Sequence, residues 1–67
     1  MRLQINGEER EFEEGLSLAA LLERLGMKPD RVAVELNREI VSRQVWSQTR
    51  LQAGDRLEIV QFVGGGL

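Results

Sequence analysis

The chain of 67 residues contains no cysteine and no histidine. Without cysteine there is neither a disulfide framework nor a thiolate metal site. Without histidine the commonest general base and the commonest zinc ligand are missing together. A chain this short forms one domain near the lower size limit for folding without staples. It can rarely spare the walls of a pocket that encloses a substrate. Self-contained enzymology is hard to build from this set, and no bound metal or cofactor is expected.

Positive charge is also short. Nine basic residues face eleven acidic ones, for a formal charge of -2, which argues against nucleic acid as a partner because phosphate binding needs a basic patch. No apolar run is long enough to span a bilayer, and Met1 is followed by Arg2 and a strand-like stretch instead of a signal h-region. A soluble, cytoplasmic chain that is monomeric when free is the expectation, and the lack of cysteine is consistent with a reducing compartment. Glu8, Glu9, Glu11, Glu13 and Glu14 crowd one early stretch. They read either as a solvated hairpin edge that resists aggregation or as an electrostatic guide toward a basic partner.

What is present has clear periodicity. Met1, Leu3 and Ile5 alternate with Arg2 and Gln4, the pattern of a strand with one buried face. Asn6-Gly7 supplies the positive φ angles of a two-residue hairpin turn, and Glu8 to Phe12 reads as the charged returning strand. Ser17 is placed to cap a helix whose Leu18, Leu21, Leu22 and Leu25 form one apolar stripe. Gly26 ends that helix and Pro29 prevents its resumption. Val32, Val34 and Leu36 alternate with Ala33 and Glu35 in a third strand. Asn37-Arg38 turns into a short extension, Glu39 to Val41. Arg43 to Gln48, with Val45 and Trp46, is too short and irregular to assign. Gly54-Asp55 is a second turn signal, and Arg56 to Phe62 is the last strand.

A lone helix with an apolar stripe must bury it against the sheet. The last strand, rich in Leu57, Ile59, Val60 and Phe62, belongs at the centre beside the first. That arrangement is an α+β, ubiquitin-like β-grasp, a mixed four- to five-stranded sheet on one helix. The domain is expected over residues 1–63, with a flexible tail over 64–67. Strand parity puts Leu57 and Ile59 on one face and sends Val60 and Phe62 to the other. Either a bulge returns Phe62 to the core, or Val60, Phe62 and Val63 form an exposed docking surface beside the tail.

That tail, Gly64-Gly65-Gly66 followed by Leu67, is costly to order and has no side chain to pack until its last residue. With no histidine or cysteine available, the candidate reactive group is a terminal carboxylate. Such a group is inert until activated, for example by adenylation with ATP, after which a sulfur or nitrogen nucleophile can take the acyl group. The activating enzyme must enclose the terminus, and residues without a Cβ pass most easily through a narrow channel.

Across nearly its whole length the chain resembles the small sulfur carriers of thiamine biosynthesis, the ThiS family. The resemblance is carried by LQINGEE, GLSLAALLERLG, VAVELNREIVSR leading to Trp46, and QAGDRLEIVQFVGGG. It implies that Gly66 is adenylated and converted to a thiocarboxylate, with Gly64 and Gly65 in the partner's channel. It also implies two partners, an adenylyltransferase that uses the ATP and a thiazole synthase, and a chain that is a protein cosubstrate instead of an enzyme. Two departures stand out. Ser42 occupies a position where the family often has proline, and Leu67 leaves Gly66 with a peptide bond in place of a free carboxylate. Leu67 reads either as a cloning remnant or as part of a precursor that a peptidase trims. The small subunit of a molybdopterin synthase, with the same chemistry, and a β-grasp interaction module that never uses its tail are the competing readings.

Overall fold

In the computed structural model, which describes residues 1–62, the first hairpin forms as its alternation predicts. Strand β1 (Arg2–Ile5) pairs antiparallel with β2 (Glu8–Glu11). Asn6 and Gly7 both take positive φ, 51° and 83°, the geometry of a turn whose twist matches the strands it joins. Every residue of β2 is exposed, so the early glutamates line an outer edge.

Helix α1 (Leu18–Arg24) starts where the Ser17 hydroxyl accepts the Ala20 N–H, 3.1 Å away. It ends in a Schellman closure: the Gly26 N–H donates to the Glu23 carbonyl and the Met27 N–H to that of Leu22, both at 3.0 Å. Gly26 has φ 75°, which is why a residue without Cβ stands there. Leu18, Leu21 and Leu22 are buried as the stripe requires. Leu25, expected to join them, is only half-buried because it is the C-cap, where the chain already turns away from the core. Pro29 does more than stop the helix, since it opens a 3-10 turn (Pro29–Arg31) that leads into the sheet again.

Strands β3 (Val32–Leu36) and β4 (Glu39–Ile40) form a second hairpin, and β5 (Arg56–Gln61) completes a five-stranded sheet in the order β2-β1-β5-β3-β4. The last strand is central, parallel to β1 and antiparallel to β3. Val41, expected to extend β4, lies outside it but still donates its N–H to the Val34 carbonyl at 3.0 Å. The unassigned stretch Arg43–Gln48 is a 3-10 helix anchored by Trp46. That side chain is buried, and its indole N–H donates to the Val41 carbonyl at 2.8 Å, so the one polar atom it brings inside is satisfied. Val45 beside it faces solvent.

Leu3 and Ile5 of β1, Leu57 and Ile59 of β5, and Val32 and Val34 of β3 meet the helix stripe in a single core. No polar or charged residue is buried in it. Two asparagines secure the central strand from opposite sides. Asn6 donates through Nδ2 to the Ile59 carbonyl (3.2 Å) and accepts the Ile59 N–H at Oδ1 (2.7 Å). Asn37, also at φ 51°, accepts the Arg56 N–H at 3.0 Å and donates to the Asp55 carboxylate at 3.0 Å. Each hairpin turn therefore carries an amide that clamps β5.

Candidate functional site

With the core spent on one face of the sheet, the other face is what the domain offers to a partner. Residues directly opposite in a register share a face. Glu35 pairs with Ile40 of β4 and with Glu58 of β5, which makes one row across three strands. Ala33 and Val60 form the next row toward the end of β5. Phe62 follows, its N–H donating to the Arg31 carbonyl at 2.7 Å, so the ladder continues one residue past β5.

The parity argument is met without a bulge. Leu57 and Ile59 are buried, while Val60 is 59% exposed and Phe62 51%. Ile40, which the strand pattern gave no reason to single out, is 80% exposed and stands at the far end of the same face. Beside Phe62 an open groove of about 500 Å³ runs between β3 and the Arg43–Gln48 turn, lined in part by Ala33, Ile40, Val41, Trp46 and Phe62. The remaining site residues expected from the sequence, Val63, Gly64, Gly65 and Gly66, lie outside the described residues, as does the expected domain boundary at 63.

Charge on the molecule is divided unevenly. On the β2 side the acidic residues have cations at hand: Glu9 and Glu11 meet Arg2 at 3.4 and 3.5 Å, and the N-terminal ammonium lies 3.3 Å from Glu11 and 3.6 Å from Glu14. That ammonium holds the Glu11 carboxyl below its ordinary pKa. Glu13 is paired with Arg24 of the last helical turn, and the guanidinium lowers its pKa to about 2. By contrast, Glu35 and Glu58 oppose each other with no cation within salt-bridge distance among the described residues. No group of three or more described acidic residues is placed to hold a metal ion. No described helix is long and apolar enough to cross a membrane. What the described residues present is a surface, an exposed apolar face with an acidic pair in its midst.

Comparison with known proteins agrees with that geometry. Residues 3–66 match the ThiS family. The sulfur carrier protein ThiS of Escherichia coli is 30% identical over 66 residues, covering 98% of this chain and 100% of the relative. A thiazole synthase of Paramagnetospirillum magneticum is 50% identical over 66 residues, 98% of this chain but 20% of that protein. The chain thus spans about a fifth of the thiazole synthases it matches. Among solved structures, the crystal structure of the thiamine biosynthesis protein ThiS from Geobacter metallireducens superposes with a TM-score of 0.85 at 35% identity, covering 98% of this chain and 100% of that one.

Proposed function

The chain belongs to the ThiS family, and from that premise we propose that it carries sulfur for thiamine biosynthesis on the main-chain carboxylate of Gly66. It is a protein cosubstrate, acted on by others. One observation above all supports this reading. The central strand β5 ends beside an exposed apolar face, and three glycines follow in the sequence after Phe62 and Val63, in a domain with no histidine or cysteine for chemistry of its own.

The steps follow from the acid chemistry of a carboxylate. An oxygen of the freed Gly66 carboxylate attacks the α-phosphorus of ATP, pyrophosphate leaves, and a mixed anhydride with AMP results. Hydrosulfide then adds at the activated carbonyl, the bond to AMP breaks and AMP leaves, and loss of the S–H proton gives a thiocarboxylate. The adenylyltransferase supplies ATP binding and excludes water. The carrier supplies the end itself, with Gly64 and Gly65 in the partner's channel, where a Cβ would meet the wall. Val60, Phe62 and Val63 form the docking face that holds the domain while its end is inside. A thiazole synthase is the second partner and receives the sulfur. The match of this chain to part of two proteins named thiazole synthase supports that pairing.

Whatever follows Gly66 must be released first, because a peptide bond to Leu67 leaves no carboxylate there. The test is ATP-dependent pyrophosphate release with a ThiS-family adenylyltransferase. A chain ending at Gly66 should support it, whereas a chain retaining Leu67, or one carrying Gly66→Ala, should not. No release from the Gly66-ended chain, with the enzyme shown active on a known ThiS protein, would remove the proposal.

A further inference from the structure

In the register of the described sheet, Glu35 and Glu58 are the one directly opposed pair of like charge. Antiparallel partners of this kind have Cα atoms about 5.5 Å apart, and like charges so placed destabilise a sheet. The ion pairs of the described residues leave both of them out. Every lysine and arginine of the chain lies within residues 1–62, and none approaches either carboxylate to salt-bridge distance. Arg56, two residues before Glu58 on the same strand, contributes instead to a hollow on the β1 side with Arg2, Gln4 and Glu9. The pair is flanked by apolar groups: Ile40 completes its row, and Ala33 and Val60 make the next.

From this juxtaposition we infer that the open sheet face receives a partner surface that is apolar over Ala33, Ile40 and Val60 and carries a guanidinium or ammonium between Glu35 and Glu58. The partner is the activating enzyme, so the inference rests on the function proposed above. It extends the docking face from β5 across β3 to β4 and names the charge that must meet it. A second copy of this chain fits poorly, since stacking two such faces on a two-fold axis would gather four carboxylates. A cation entering between the two glutamates relieves their repulsion and forms two charge-assisted hydrogen bonds as water leaves. The opposed pair thus holds back some fold stability that binding recovers.

The test uses the chain ending at Gly66 and a ThiS-family adenylyltransferase, with affinity measured at low and high salt. Glu35→Gln and Glu58→Gln should each weaken binding about tenfold at low salt, and the loss should shrink as salt rises. Their unfolding midpoints should equal or exceed the unsubstituted value, which separates lost contact from lost fold. Ile40→Ser, at a site 80% exposed, should also weaken binding without lowering the midpoint. Unchanged affinity in both glutamine variants would overturn the inference while leaving the carrier function standing. No binding or activation of the unsubstituted chain would overturn both. Self-association that strengthens in the glutamine variants would assign the face to a second copy, against the inference.

Discussion

Replacing Asn6 separates two jobs that one residue performs. Its backbone sits at φ 51°, where a side chain with Cβ is strained, and its amide closes two hydrogen bonds on Ile59 of the central strand. Asn6→Ala keeps the strain and deletes the bonds. Leaving the Ile59 N–H and carbonyl without partners costs about 1–3 kcal/mol, and alanine in the left-handed region adds roughly 1–2 kcal/mol. Asn6→Gly deletes the bonds but relieves the strain, so it should cost about 1–3 kcal/mol. Asn6→Asp keeps the acceptor for the Ile59 N–H and loses the donor, and should be the mildest of the three. A domain of this length has roughly 3–10 kcal/mol in total, so the alanine variant should approach the unfolding threshold at room temperature. Urea denaturation, with a slope of about 1 kcal/mol per molar for so small a protein, should show midpoints falling in the order Asn, Asp, Gly, Ala. Amide exchange should locate the effect, with the Ile59 N–H opening faster in the Gly and Ala variants. A glycine variant with the midpoint of the unsubstituted chain and unchanged Ile59 exchange would show that the clamp contributes nothing.

Other expectations can be checked with the same chain. Leu22→Ala, at a site 1% exposed in the helix stripe, should cost about 2–5 kcal/mol, and an unchanged denaturation midpoint would remove Leu22 from the core. Phe62→Ala should weaken binding to the adenylyltransferase while costing about 1 kcal/mol or less, since the ring is half exposed; global unfolding would refute the docking role. The Glu13–Arg24 pair sets a pH dependence of known sign. Because Glu13 falls from 4.5 to about 2 on folding, its contribution is complete above pH 4.5 and lost as pH drops toward 2. An acid titration of stability should therefore be shallower in Glu13→Gln over that window, and identical curves would show that the pair does not hold in solution.

The elements with a strong period were legible before any coordinates. Alternation over Met1 to Ile5 and Val32 to Leu36, the leucine stripe of α1 and the turn signals at Asn6-Gly7 and Gly54-Asp55 led to the β-grasp, with β5 at its centre. Parity pointed to the exposure of Val60 and Phe62, and left open a bulge at Phe62 that the structure does not contain. The Arg43–Gln48 turn was not legible, because a short 3-10 helix held by one buried tryptophan has no repeating apolar signal. Leu25 was overread because a stripe does not reveal where the helix axis ends. The Asn6 and Asn37 amides were read as turn formers only, since their bonds to β5 span up to 53 residues of sequence. Likewise, nothing local marks Glu35 and Glu58 as a pair. Their opposition appears only when the β3–β5 register is known.

The central claim concerns one atom, an oxygen of the Gly66 carboxylate. Mass spectrometry of the intact chain after incubation with a ThiS-family adenylyltransferase, ATP and a sulfide source reads it directly. The account predicts that a chain ending at Gly66 gains the mass of one oxygen-to-sulfur exchange, located in its C-terminal fragment, and that a chain retaining Leu67 stays unchanged. An unmodified Gly66-ended chain beside an enzyme active on another ThiS protein, or sulfur found anywhere but the C-terminal carboxylate, would contradict it.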